Sequence, residues 1–228
     1  MRNKYLIVSY VRTLSGCAAD DIINKTERFV KHILEGYDSS HDWWHIERVR
    51  GIAKIINQQE MIADPFILEI TALLHDSADS KFSKGDSEND FTIIREFMDK
   101  SGLTKYKERI VEVIRNVSFS NKNPTGNITD PLLLIIQDAD RLDAIGAIGI
   151  ARAFNYGGFR NNAIYIPGDN TGIISPTTIG HFHDKLLKLK DMMNTSTGRR
   201  IAEERHLFLE KFLEQFYKEC EFDTGESY

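Results

Sequence analysis

The sequence predicts an all-α fold built as a single domain of seven to nine helices. Apolar residues recur at helical spacing in segment after segment between residues 21 and 220. Proline stands where helices open, at Pro65, Pro131 and Pro176, and short stretches rich in Gly, Asn and Ser separate the segments. No internal repeat, long linker or low-complexity tract divides the chain, and 228 residues suffice for one large domain. The boundaries expected are an N-terminal arm over 1–20, the domain over 21–220 and a frayed tail over 221–228.

The first helical segment, 21–36, places Ile22, Ile23, Phe29, Val30, Ile33 and Leu34 along one side, and Gly36 closes it. Asp38-Ser39-Ser40 offers caps for the next helix, over 42–58. On it His41, His45, Arg48 and Ile52 fall at i, i+4, i+7 and i+11, a single stripe. Trp43 and Trp44 beside them read as packing or pocket wall. Asp64-Pro65 starts a core helix that carries Phe66, Leu68, Ile70, Leu73 and Leu74 and ends near His75-Asp76. The polar stretch 77–90 reads as a loop, with amphipathic helices over 88–101 and 104–118. After a second loop, 118–131, one long core helix is expected over 132–151, carrying Asp138, Asp140 and Asp143. Its Ala and Gly residues, from Ala144 to Ala151, suit close approach of another helix and lack the strand-turn-helix setting of a dinucleotide fingerprint. Residues 155–175, rich in glycine with Tyr156 and Tyr165, read as an irregular insertion with a short hairpin. Ser175-Pro176 opens a helix on which His181, Lys185 and Lys188 form a stripe, and the last helix, 197–220, packs through Leu207, Phe208, Phe212, Phe216 and Tyr217.

A hydrophobic content of 41% and a charged content of 28% describe an ordinary globular protein. The net charge of −5 argues against broad electrostatic binding to nucleic acid and is compatible with a local basic pocket for a small anion. Cys17 and Cys220 have neither zinc-type spacing nor a disulfide framework, which fits a cytoplasmic location. Leu14-Ser15-Gly16-Cys17 resembles a lipoprotein cleavage box, but the preceding apolar run, Tyr5–Val11, is short and broken by Arg12 and Thr13. The expectation is therefore a helical or irregular arm with no membrane partner.

The chemistry gathers around Leu73-Leu74-His75-Asp76, an apolar run that ends in a histidine and an aspartate. Imidazole and carboxylate are both good ligands for first-row divalent ions, and neighbours on a helix project about 100° apart, so the two can converge on one ion. A His-Asp pair alone is common. Here it ends a buried-looking run, and His45 and Asp140 stand in two other apolar helical stretches. Buried carboxylates are costly unless paired or bound to metal, so three acidic groups in a core helix ask for a cation. The expected centre is His45, His75, Asp76 and Asp140. Two histidines and two carboxylates leave open positions on an octahedral Mn, Co, Ni, Mg or Fe ion, and Zn also fits. Asp79, three residues beyond Asp76, is the candidate to place or accept the proton of water. Lys81 is the candidate contact for a phosphate oxygen, and His41 and Arg48 are candidate substrate contacts.

The pattern His45…His75-Asp76…Asp140 resembles the H…HD…D signature of the HD-domain metal-dependent phosphohydrolases. The phrases HDWWHIERV, LLHDSADSKF, QDADRLDAIGAIGIARAF and KLLKLKDMMNT resemble a compact bacterial and archaeal subgroup of that superfamily, from about residue 21 to residue 219. The resemblance implies a helical HD-domain bundle and a divalent ion on those four residues, and the similarity of HFHDKLLKLK to the same subgroup makes His181 and Lys185 candidate substrate contacts for phosphate. It also implies hydrolysis of a phosphoester or phosphoanhydride bond by metal-activated water, with nucleotides, foremost (deoxy)nucleoside triphosphates, as substrates. A nucleotide-sensing module that keeps the metal site, and a nucleoside monophosphate phosphatase, stay open as alternatives, as does a homodimer.

Overall fold

The computed structural model describes residues 16–35, 42–77, 87–117, 128–167 and 177–220. Among these the chain is all-α. Helix α1 spans Gly16–Leu34, α2 Trp43–Glu60, α3 Pro65–Leu74 and α4 Ser87–Lys100. A single 3-10 turn, Thr104–Tyr106, leads into α5, Lys107–Val117. Then come α6, Pro131–Asp143, α7, Gly146–Phe159, and α8, Thr178–Asp184. A 3-10 segment, Leu186–Met192, precedes α9, Ser196–Cys220. Helix α1 thus begins five residues before the expected domain start, and Cys17 is an exposed residue of its first turn. No helix among the described residues is long and apolar enough to cross a membrane.

The core is a layer in which α3 is covered by α1, α2, α5 and α6, and α2 packs against α6 and α9. Helix α3 is buried along its whole length from Ile67 to Leu74, which is why its ten residues are nearly all apolar. Asp64 caps it, accepting from the Phe66 and Ile67 N–H groups at 3.0 Å, and Pro65 takes the first position, where a missing N–H costs nothing. Asp130 repeats the device on α6, accepting from Leu132 N–H at 2.9 Å ahead of Pro131. Helix α2 opens on Asp42 instead, whose carboxylate accepts from the His45 N–H at 2.8 Å and so sets where the His45 side chain leaves the helix. Arg50 ties three helices together, bonded to Glu27 on α1, Glu47 on α2 and Glu69 on α3.

Four expectations are corrected. The long helix over 132–151 is two helices, separated at Ala144-Ile145, with Gly146 at φ +76°, a left-handed conformation that glycine adopts without strain. Residues 155–159, expected in the insertion, are the last turn of α7. Beyond α7 the described residues hold an isolated parallel bridge, Ala163 to Thr177, and the rest of the expected insertion, 168–175, lies outside them. The helix after Pro176 breaks at Lys185, so His181, Lys185 and Lys188 do not share one continuous helical stripe. On α9, Leu207 and Phe208 are exposed, and the buried side is Ala202, His206, Leu209 and Leu213. The reason is phase: a 25-residue helix carries more apolar residues than one core-facing stripe accommodates.

Candidate metal centre

Three elements bring the polar donors together. His45 comes from the first turn of α2, His75 and Asp76 from the turn that ends α3, and Asp140 from the last turns of α6. His45 Nε2 lies 3.8 Å from Asp76 Oδ2 and 3.5 Å from Asp140 Oδ1. The His45 and His75 rings are 5.3 Å apart between centroids, tilted by 59°. Ligand atoms of His45, His75 and Asp76 all fall within 4.8 Å of one another, a group able to hold a metal ion. Asp140 is more open, with its side chain 33% exposed against 2% for His45.

The protonation of both imidazoles is set by their partners. His75 Nδ1 sits 2.7 Å from the Ala72 carbonyl, which can only accept, so Nδ1 carries the proton. Its Nε2 is buried and has no hydrogen-bond partner among the described residues. Burial is the main cause that lowers the His75 pKa, against the opposing pull of Asp76, and a neutral ring is the form that binds metal. His45 Nδ1 faces Asp143 Oδ2 at 2.8 Å, and a carboxylate likewise fixes the proton on Nδ1. In the neutral form each ring then presents its Nε2 lone pair to the cluster, and the orphaned buried Nε2 of His75 beside two carboxylates fits a cation.

Three carboxylates on α6 do three different things. Asp140 joins the cluster. Asp138, fully buried, binds the turn before α9: Asn194 N–H donates to Oδ1 at 2.7 Å, and Thr195 N–H and Oγ1 donate to Oδ2 at 2.8 and 2.7 Å. Burial pushes the Asp138 pKa up, and those donors hold it back. Asp143, 1% exposed, accepts from Arg48 through Nε at 2.6 Å and Nη2 at 3.1 Å, and from Arg152 Nη1 at 2.8 Å. Burial by itself would raise its pKa; the hydrogen bonds of His45 and Arg48 and the charge of Arg152 outweigh that and hold it well below the usual carboxylate range. The idea that all three aspartates ask for a cation is thus corrected. Arginines and backbone amides compensate two of them.

Of the other candidates, Arg48 spends two of its N–H groups on Asp143. His181 and Lys185 lie on α8 and at its end; α8 packs on α7 and on the 3-10 segment, one element removed from the donors. Burial lowers the His181 pKa, helped by Lys185 nearby. His41, Asp79 and Lys81 lie outside the described residues. Sequence reasoning misses Arg152 and Asp143 as site residues, although Asp143 sits three residues past Asp140 on the same side of α6, a spacing able to flag it.

Comparison with known proteins places this arrangement. The family described as HD domain matches residues 43–145, a span that opens at the first residue of α2, closes just past α6 and encloses all four donors. Bacillus subtilis YpgQ is 38% identical over 194 residues, covering 84% of this chain and 90% of that protein. The crystal structure of an HD-superfamily hydrolase from Bacillus thuringiensis superimposes with a TM-score of 0.70 at 39% identity, over 89% of this chain and 98% of the other. The crystal structure of B. subtilis YpgQ in complex with ADP superimposes with a TM-score of 0.71 at 36% identity, over 86% of this chain and 97% of that one. Identity of this level, sustained over nearly the full length of those proteins, leaves one conclusion: the chain belongs to the HD-domain superfamily.

Proposed function

We propose that this protein is a metal-dependent phosphohydrolase acting on nucleotides, with (deoxy)nucleoside triphosphates as its preferred class. The observation that carries the reading is the pair of imidazoles with Nδ1 tied up as donor and Nε2 left for the cluster that Asp76 and Asp140 complete. His45, His75, Asp76 and Asp140 would hold one divalent ion. Bound there, such an ion supplies a Lewis acid for a phosphoryl oxygen and acidifies water. Asp140, at the open edge of the cluster, marks the side from which a phosphate can enter. Asp79 would receive or place the proton of the attacking water, and Lys81, His181 and Lys185 would hold phosphate charge.

Two things support a nucleotide. YpgQ, crystallised with ADP, is similar over most of the chain. Lys81 and Lys185 also offer more positive charge than a single monoester needs, which favours a triphosphate.

The test is a turnover screen of the purified protein over nucleoside and deoxynucleoside mono-, di- and triphosphates, each with Mn, Co, Ni, Mg, Fe or Zn. Expected is metal-dependent release of phosphate or pyrophosphate, fastest from triphosphates. A preference for monophosphates overturns the substrate class, and tight nucleotide binding without turnover overturns the enzyme in favour of a sensor.

A further inference from the structure

One heavily connected carboxylate beside the cluster, Asp143, is not one of the four donors. Asp143 Oδ2 accepts from three sources at once: His45 Nδ1 at 2.8 Å, Arg48 Nη2 at 3.1 Å and Arg152 Nη1 at 2.8 Å. Its Oδ1 accepts from Arg48 Nε at 2.6 Å. The donors come from α2 and α7, both packed on α6, and α7 can return an arginine to the end of α6 because the chain turns at Gly146.

We propose that Asp143 is a positioning residue of the metal centre, acting on the ion only through His45, and that Arg48 and Arg152 are the anchors that hold its carboxylate in place. The proposal rests on the metal site put forward above. A carboxylate bonded to Nδ1–H fixes the ring plane and the tautomer and strengthens Nε2 as a ligand. A lone Asp-His pair in a core would do this at the cost of a buried negative charge. Two guanidiniums offset that charge, and the Arg48 fork, one N–H to each oxygen, sets the plane of the carboxylate. Arg48 then serves the site from behind rather than by gripping phosphate. The competing role is purely structural: Asp143 simply staples α2, α6 and α7.

Asp143→Asn separates the two. An asparagine has one accepting oxygen. If it faces His45, its NH2 meets the donors of Arg48; if it turns over, its NH2 faces His45 Nδ1 and moves the ring proton to Nε2, which destroys the metal donor. Two measurements read this out. The first is a titration with Co²⁺ or Mn²⁺ alone, where Asp143→Asn should weaken affinity about 10- to 100-fold. Arg152→Gln, which keeps the carboxylate and the Arg48 fork, should weaken it far less. The second is the nitrogen chemical shifts of His45 in the metal-free protein. Wild type should show protonated Nδ1 and bare Nε2, and Asp143→Asn a shift toward protonated Nε2. A staple alone changes stability and leaves the tautomer and the affinity ratio untouched.

A folded Asp143→Asn protein with wild-type Co²⁺ affinity and an unmoved His45 tautomer overturns the proposal. Should that variant fail to fold, the wild-type spectrum decides, since a protonated Nε2 there is incompatible with it. Should wild type bind no divalent ion, the metal reading falls, and the tautomer comparison still judges Asp143 separately.

Discussion

At the scale of the residue, direction decides what a carboxylate does. Asp138, Asp140 and Asp143 lie at i, i+2 and i+5 on α6, so taking about 100° per residue, Asp140 and Asp143 leave the helix some 60° apart. Asp138 points well away from both. That phase, present in the sequence, separates Asp140 and Asp143, which both lie beside His45, from the aspartate that binds Asn194 and Thr195. What the phase could not supply is the partner. Arg48 is 95 residues from Asp143, and nothing local to either residue announces the pair. The donors themselves yield a direct prediction. His75→Ala removes a buried Nε2 that has no other partner among the described residues, so metal content and turnover should fall to near background. The helical circular dichroism should stay close to wild type, because α3 is held by its apolar burial. Metal analysis showing wild-type occupancy in His75→Ala would remove that residue from the centre.

At the scale of the element, the decisive feature is the break between α6 and α7. A helical period runs unbroken through both, which is why the sequence reads as one long helix. Only Gly146, at φ +76° and pressed by the Arg205 side chain, 3.0 Å from where a Cβ would sit, marks the turn. Helix α7 then lies close to α8: a Cβ on Gly157 would come within 2.1 Å of Thr178 Oγ1. Threonine is stiff at χ1 and cannot swing aside freely. Gly157→Ala should therefore destabilise the protein by about 1–3 kcal/mol despite alanine's better helix propensity. That corresponds to a melting temperature lower by roughly 2–4 °C per kcal/mol for a chain of this size. Adding Thr178→Ala to Gly157→Ala should recover most of the loss. No recovery in a thermal melt of the double variant would show that the contact is not what limits α7.

For the whole molecule, stability against acid rests on carboxylates whose partners sit on other helices. Asp130 caps α6 and takes two hydrogen bonds at 2.7 Å from Arg109 of α5. Burial opposes its ionised form, but the Arg109 and Leu132 donors outweigh burial and its pKa is lowered. A depressed carboxylate pKa contributes stability that is fully present above the unfolded value, about 4, and is lost as pH falls through the lower folded value. Asp130→Ala should thus cost about 0.5–2 kcal/mol near neutrality, the usual loss of a cap. The gap to wild type should close as the pH drops below about 4. Urea melts at pH 7 and pH 3 measure both, and a gap that widens in acid would contradict the assignment.

The sequence by itself determined the helical class and the helix starts marked by Asp64-Pro65 and Pro131, and it singled out His45, His75, Asp76 and Asp140 as the candidate donors. These are local or periodic signals: a cap acts within one turn, and a polar donor in an apolar run stands out wherever it occurs. Tertiary structure alone decided that α6 and α7 part at Gly146, that Leu207 and Phe208 face outward, and that Arg48 and Arg152 converge on Asp143. Each of those depends on how distant segments compete for the same buried space and the same buried charge, and that competition exists only once the helices have packed.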